Sequence, residues 1–178
     1  MVKMAPRTKT YIAGDWDGDR DAIQKLYDWN NSKSIPIHFT NAHDLTQARD
    51  SSLNCSIKQS LKTILDASKR FILIVGEKTA SLRSGGCQLC SSYNSYGHYC
   101  VRRYYVDYRS YIEYECDEAL KAYKEDGVEI IVLYNGLIVD RNKCPESIRS
   151  YGRHLPMVYR GSDGDLYWNR HSIEQILE

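Results

Sequence analysis

The chain of 178 residues has no strong excess of charge and no long apolar run. Its 24 basic residues nearly balance its 23 acidic residues, so the composition gives no reason to expect a nucleic acid as partner. No stretch approaches the ~20 apolar residues that a membrane-spanning helix needs. The basic segment Met1 to Lys9 is not followed by an apolar run, so no secretory signal is evident. We therefore expect a cytoplasmic protein without a membrane segment.

Phenylalanine is also scarce, with two residues against fifteen tyrosines. A buried tyrosine needs a hydrogen-bond partner for its hydroxyl, so we expect many of these rings at the boundary of the core. Cysteine, in contrast, is well represented, at Cys55, Cys87, Cys90, Cys100, Cys116 and Cys144. Because no export signal is evident, we expect these residues to be thiols or metal ligands rather than disulfides.

Strand and helix patterns alternate along the first three quarters of the chain. The short apolar runs Phe71–Gly76 and Val128–Tyr134 are typical of buried parallel strands joined by a crossover helix. Earlier strands are predicted at Lys9–Ala13 and Ile35–Phe39, and Pro36 favours an edge position for the second. The alternation predicts an α/β fold, with an open parallel sheet and helices on both faces.

Three helices are predicted between these strands. Asp19 is a plausible N-cap of the first, the second spans Asn54 to Lys69, and the third spans Ser110 to Lys124. The elements beyond Gly136 are short: a helix at Pro145–Tyr151, a strand at Leu155–Tyr159 and a helix at His171–Leu177.

Neither an internal repeat nor a linker divides the sequence. We predict one domain over residues 1–178. Within it we expect a core at 9–136, an inserted loop at 80–108 and a C-terminal part at 137–178.

The segment Glu77–Asp107 interrupts the alternation and carries a possible metal site. Its Cys87-Gln-Leu-Cys90 hook is followed by His98 and Cys100, a set that predicts a structural zinc ion. A zinc ion would explain how so long a loop stays ordered. Cys116 could replace His98 if its side chain faces the loop. The alternative of reduced, unliganded thiols stays open.

The third predicted helix carries an acid beside its apolar face. The predicted core-facing stripe consists of Ile112, Cys116, Ala119, Leu120 and Tyr123. Glu115 lies at the margin of this stripe, and Tyr111 lies one turn earlier on the same flank. Open parallel sheets bind ligands outside the carboxyl ends of their strands, where this helix would begin. Glu115 is therefore a candidate functional acid, and a solvated acid on an acidic helix is the alternative.

Several of these segments resemble one known family. The run Ser68–Thr79, followed by Tyr111-Ile-Glu-Tyr-Glu115, resembles the TIR-like family, and within it the B proteins of bacterial Thoeris antiphage systems. The first strand with Gly14-Asp-Trp-Asp17 and the helix from Asn54 are also similar to that family. TIR-like enzymes have an aromatic residue four positions before the catalytic glutamate, which matches Tyr111 and Glu115. Here the aromatic residue is tyrosine where TIR domains often have tryptophan, and the cysteine-containing loop is longer than in most.

This resemblance spans roughly Lys9 to Gly136 and implies a flavodoxin-like TIR fold. It also implies cleavage of the nicotinamide–ribose bond of NAD, with Glu115 as the catalytic residue and Tyr111 as part of the pocket wall. The further NAD contacts would be Asp15, Trp16 and Asp17. The resemblance implies transfer of ADP-ribose to form a signalling nucleotide, often a cyclic isomer, that activates a separate effector protein. Self-association of TIR domains is implied as well.

Other functions compete with this interpretation. A non-catalytic TIR adaptor is the main alternative, although an adaptor has no chemical need for Glu115. Asp15 and Asp17 after the first strand are compatible with a phosphate-accepting receiver domain. Such a domain needs an aspartate at the end of its third strand, where this chain has Gly76-Glu77, so this alternative is set aside. A hydrolase or transferase that acts on other nucleotides would have the same fold and the same acid, so this alternative stays open. For Asp17 and Asp19, capping of the first helix is an equal alternative to ligand binding.

Overall fold

The computed structural model describes residues 7–32, 39–40 and 53–177. In these ranges the strands are β1 (Lys9–Ala13), β2 (Phe39–Thr40), β3 (Ser68–Val75), β4 (Tyr93–Asn94), β5 (Tyr99–Cys100), β6 (Glu129–Tyr134), β7 (Arg153–Pro156), β8 (Val158–Arg160) and β9 (Leu166–Trp168). The α-helices are α1 (Arg20–Asn31), α2 (Asn54–Asp66), α3 (Tyr111–Asp126) and α4 (Arg170–Leu177).

Five of these strands form one parallel sheet in the order β2-β1-β3-β6-β7. The central pair, β3 and β6, is in register from Arg70 opposite Glu129 to Val75 opposite Tyr134. Side chains on one face of the sheet pack with α2 and α3, and those on the other face pack with α1 and α4. The predicted α/β, flavodoxin-like (TIR-like) fold is confirmed.

Successive side chains of a strand point to opposite faces, and this alternation separates the two halves of the core. On β1, Tyr11 and Ala13 face α2 and α3, whereas Ile12 faces α1. On β3, Phe71 faces the same side as Tyr11, and the two rings stack with centroids 5.7 Å apart. Apolar side chains thus cover both faces of the central strands, as expected for a parallel sheet.

Several predicted boundaries shift when the strands pair. The second helix ends at Asp66 rather than Lys69, because Ser68 already pairs with Lys9 of β1. The edge position predicted for the second strand is confirmed for Phe39, whereas residues 35–38 of that prediction lie outside the described residues.

The C-terminal part also differs in detail. The single strand predicted at Leu155–Tyr159 is divided between β7, which pairs with β6, and β8, which pairs with β9 from Val158 onward. Strand β9, which was not predicted, pairs with β8 as a hairpin. The helix predicted at Pro145–Tyr151 is a single 3-10 turn at Glu146–Ile148, and the final helix is confirmed as α4.

Helix α3 begins at a complete capping box. The hydroxyl of Ser110 accepts from the Glu113 N–H (3.1 Å), and the carboxylate of Glu113 accepts from the Ser110 N–H (2.7 Å). Gly127, at φ +69°, ends the helix in the left-handed conformation that glycine adopts readily. These local signals determine the start of α3, and with it the depth of the residues in the first two turns.

The loop between β3 and α3 is attached to α2 through a buried lysine. Lys58 is only 4% exposed, and its ammonium donates to the carbonyl of Arg109 (2.6 Å) and pairs with the carboxylate of Asp107 (3.3 Å). Arg109 in turn pairs with Asp107 and with Asp117 of α3, both at 2.9 Å. The segment before α3 is therefore held to both helices. Every helix in the described ranges is too short or too polar to span a membrane.

We expect Lys58→Ala to lower the free energy of unfolding by about 2–3 kcal/mol, because it removes a buried cation and leaves Asp107 and the Arg109 carbonyl with fewer partners. The matched control is Lys62→Ala, which removes a more exposed lysine of the same helix and should cost at most about 1 kcal/mol. Urea unfolding of both variants measures the difference. Equal losses would contradict an anchoring role for Lys58.

Candidate active site

Glu115 lies in the second turn of α3 and faces the core. Only 6% of the residue is exposed, and its carboxylate accepts a short hydrogen bond from the hydroxyl of Tyr11 on β1. A crossover helix between parallel strands runs antiparallel to them, so α3 begins at the carboxyl-end rim of the sheet. Glu115 therefore lies about one helical turn, roughly 5 Å, below that rim.

Helix α3 is oriented differently from the prediction, because Glu115 lies deeper in the core than expected. Glu115 was expected at the margin of the apolar stripe, whereas it lies within the buried face with Ile112 and Ala119. Tyr123, predicted to face the core, is 40% exposed, and Ala122 is buried instead. The buried face of α3 therefore includes Glu115 and Ala122 and excludes Tyr123.

The environment of Glu115 favours its neutral form. Burial raises the pKa of this carboxyl from 4.5 to about 7, and the hydrogen bond from Tyr11 opposes the increase. Burial and the nearby carboxylate raise the pKa of Tyr11 as well, so its hydroxyl keeps its proton and donates. Glu115 thus titrates near neutral pH, which is the range useful to an enzyme.

Tyr111 lies at the rim above Glu115, between α2 and the loop that precedes α3. Its hydroxyl donates to the side-chain oxygen of Asn54 (3.1 Å), and its backbone N–H donates to Ser84 (2.8 Å). A Cβ atom at Gly85 would come within 2.6 Å of the Tyr111 ring, so this glycine, at φ +100°, permits the contact. Burial, with the nearby thiols of Cys90 and Cys55, raises the pKa of Tyr111 to about 12.

The turn after β1 occupies another part of the same rim. Asp15 accepts a hydrogen bond from the Asp17 N–H (3.2 Å), and the ring of Trp16 packs 6.0 Å from that of Tyr27 on α1. Trp16 thus lies with the α1 side of the core, whereas Glu115 lies on the α3 side. The assignment of Asp15, Trp16 and Asp17 as NAD contacts stays a prediction.

Asp19 is a second buried acid that the sequence analysis did not identify as such. It precedes α1, but its side chain makes no capping bond. Instead it is 3% exposed and accepts from the side-chain amide of Asn135 (2.9 Å), which follows β6. A Cβ atom at Gly76 would overlap the Asp19 carboxylate, so only glycine fits at the end of β3. Asp19 thus occupies the predicted N-cap position of α1, and its carbonyl accepts from the Ile23 N–H (3.0 Å), but its side chain binds Asn135 instead of capping the helix.

The predicted zinc ligands are only partly brought together. His98 shares a hydrogen bond with the hydroxyl of Tyr93 (3.0 Å), on the exposed side of the β4–β5 hairpin. Cys116, the alternative ligand, is fully buried in the core beneath α3 and does not face the loop. Across the described residues, no three Cys, His, Asp or Glu side chains are already arranged to hold a metal ion.

The five-stranded parallel sheet, with helices on both faces, is consistent with an α/β TIR-like fold. In agreement with this fold, the family model described as Thoeris protein ThsB, TIR-like domain, matches residues 11–84. The predicted resemblance is thereby confirmed for this part of the chain, and it suggests a role in antiphage defence. The match runs from β1 into the loop after β3 and ends before α3, so Glu115 lies beyond it. No curated protein matches the chain.

We expect the free energy of unfolding of Glu115→Gln to rise relative to the wild type by about 1.4 kcal/mol per pH unit between pH 4.5 and 7. In that range the unfolded wild-type chain releases the proton that the folded protein retains, so wild-type stability falls as the pH rises, whereas glutamine does not titrate. Urea unfolding from pH 4 to 8 measures this difference.

The matched control is Glu125→Gln, on the exposed last turn of α3. Its stability should follow that of the wild type within about 0.5 kcal/mol at every pH. A Glu115→Gln protein whose stability parallels the wild type across the range would contradict the raised pKa.

Proposed function

We propose that the protein is a TIR-like enzyme that cleaves the nicotinamide–ribose bond of NAD, with Glu115 as the catalytic carboxylate. The single observation that carries the proposal is a lone acid buried at the start of α3 and held by Tyr11. Burial of a carboxyl group is unfavourable for stability, and acids with such raised pKa values cluster at functional sites. The resemblance to TIR-like enzymes supports NAD as the substrate.

The proposed chemistry needs only one carboxylate. Nicotinamide leaves NAD as a neutral molecule from a cationic pyridinium, so no general acid is required. The ribose then carries developing positive charge, as in glycoside cleavage. Glu115 stabilises that charge electrostatically and accepts hydrogen bonds from the ribose hydroxyls. The positive charge of the nicotinamide ring of bound NAD favours the ionised form of Glu115 and offsets the effect of burial on its pKa.

Two tyrosines assist in different ways under this proposal. Tyr11 positions the carboxylate by donating to one of its oxygens. Tyr111 forms the pocket wall at the rim, where Asn54 and Gly85 hold its ring. Asp15, Trp16 and Asp17 contribute contacts to NAD from the turn after β1.

As the bond to nicotinamide breaks, the anomeric carbon of the ADP-ribosyl group forms a bond to a nucleophilic atom of an acceptor, which loses a proton; when the acceptor is another part of the same nucleotide, the product is a cyclic isomer. This product is a signalling nucleotide that activates a separate effector protein in antiphage defence. Self-association of the TIR-like domain supports the activity. The family match to residues 11–84 supports the defence role, and the resemblance of the Tyr111–Glu115 segment to TIR-like enzymes supports the reaction.

A non-catalytic TIR adaptor is the second candidate function. One observation favours it: the Tyr11 hydroxyl already satisfies the Glu115 carboxyl within the core, as a purely structural acid would require. An adaptor would self-associate and bind other TIR domains without consuming NAD.

Incubation with NAD, followed by mass analysis of the nucleotide products, distinguishes the two functions. We expect the wild type to release nicotinamide and Glu115→Gln to lose at least about 100-fold in rate, because the charge that stabilises the ribose cation is removed. Glu125→Gln should keep wild-type activity. Nicotinamide release by Glu115→Gln at the wild-type rate would refute the assignment. A wild type that self-associates and leaves NAD intact would favour the adaptor.

Tyr11→Phe tests the positioning role of the tyrosine hydroxyl. The hydrogen bond lowers the pKa of Glu115, so its removal should raise that pKa. The acidic limb of the kcat/KM profile should then move to higher pH by about one unit, since activity needs the ionised acid. Tyr114→Phe is the matched control, because the Tyr114 ring contacts Lys58 and Arg109 rather than Glu115. A Tyr11→Phe enzyme with an unshifted profile would contradict this role.

A further inference from the structure

Four of the six cysteines surround one small cavity. Cys55 comes from the first turn of α2, Cys87 and Cys90 from the loop after β3, and Cys100 from β5. The cavity has a volume of about 10 Å³, which is about the least that holds one water molecule or ion. It is too small for an organic ligand, so its size allows only a water molecule or a single ion, and the chemistry of the lining decides between them.

Four of the side chains that line the cavity are of the kind that binds zinc ions in proteins. Besides these four thiols the lining contains Leu53, Ser92, Tyr93, Tyr104 and Tyr105, none of which is charged at neutral pH. Four sulfur ligands from separate segments are the donor set of structural zinc sites, in which all four positions are filled by protein. Hard cations such as magnesium and calcium prefer oxygen ligands and fit this set poorly.

The backbone around the cysteines is arranged as metal-bound thiolates require. The Asp107 N–H donates to the sulfur of Cys87 (3.2 Å), and such N–H groups stabilise thiolate ligands from outside the coordination sphere. The Cys90 N–H donates back to the carbonyl of Cys87 (2.9 Å), which closes the turn between the two sulfurs. All six cysteines are free thiols, so no disulfide competes for these sulfurs.

We propose that Cys55, Cys87, Cys90 and Cys100 bind one structural zinc ion. Cys55 takes the position that the sequence analysis assigned to His98, whose ring bonds Tyr93 outside the cavity. The four cysteines line one cavity, and binding of the ion would draw their sulfurs into a single coordination sphere.

The site connects the loop to the rim above Glu115. Asn54, next to Cys55, accepts from the Tyr111 hydroxyl (3.1 Å) and donates to the carbonyl of Gly86 (2.9 Å), next to Cys87. Zinc at this point holds the start of α2 against the loop that packs on Tyr111. The zinc proposal rests on the four cysteines that line one cavity, and it does not depend on whether the protein cleaves NAD.

Elemental analysis of protein purified without a histidine tag tests the stoichiometry. We expect one zinc ion per chain in the wild type and in His98→Ala, and substantially less in Cys55→Ser and Cys100→Ser. Cys144→Ser, which alters a buried thiol outside the cavity, is the matched control and should keep its zinc. Full zinc in Cys55→Ser, or its loss in His98→Ala, would overturn the ligand set.

Cobalt substitution of the wild type provides a second test that needs no variant to fold. Cobalt bound by four thiolates gives intense sulfur-to-metal charge-transfer absorption and the visible bands of a tetrahedral site. In the folded, metal-loaded protein a chelator should make Cys55, Cys87, Cys90 and Cys100 more reactive to a thiol reagent and lower the Tm, whereas the core thiols Cys116 and Cys144 should stay unreactive with and without the chelator. A wild-type protein that has neither zinc nor a cobalt spectrum, with all six thiols reactive on unfolding, would overturn the proposal.

Discussion

The hydrogen bond between Tyr11 and Glu115 is the interaction on which the rest of the candidate site depends. A carboxyl group buried between a helix and a sheet is tolerated only when it has a partner, and here the partner comes from the strand beneath it. The pairing requires β1 to present Tyr11 toward α3 and requires α3 to begin at Ser110. The capping box and the register of β1 with β3 satisfy these two conditions independently.

A second set of contacts builds the wall above this acid. Lys58 attaches the end of the loop to α2, and Asn54 joins the start of α2 to Tyr111. The four-cysteine cavity lies beside these contacts, and its cysteines come from the same two elements, α2 and the loop between β3 and α3. The loop between β3 and α3 has little periodic sequence, so side-chain hydrogen bonds to α2, rather than long strands or helices, hold it in place. The loop lies at the rim of the sheet on the α3 side.

The two buried acids, Asp19 and Glu115, differ in their hydrogen-bond donors and in the charges around them. The carboxylate of Asp19 has the Asn135 amide as donor and lies near Asp15 and Asp21, and burial raises its pKa. Glu115 has no such acidic neighbour, and its pKa reflects burial opposed by one hydroxyl. The proposed reaction needs an acid that the cationic nicotinamide ring of the substrate can return to its charged form. The isolated position of Glu115 suits that requirement better than the position of Asp19 near two other acids.

Local patterns in the sequence determined the strands β1, β3 and β6, the start of α3 and the resemblance to TIR-like domains. Apolar runs, capping residues and turn glycines act over a few positions, so they can be recognised without the fold. Only the tertiary structure decided that Glu115 is buried, that Tyr11 is its partner, that Asn135 binds Asp19 and that Cys55 lines one cavity with the cysteines of the loop. The Tyr11–Glu115 and Asp19–Asn135 bonds join residues 104 and 116 positions apart, and that pairing is set by how the sheet assembles, which no local pattern contains.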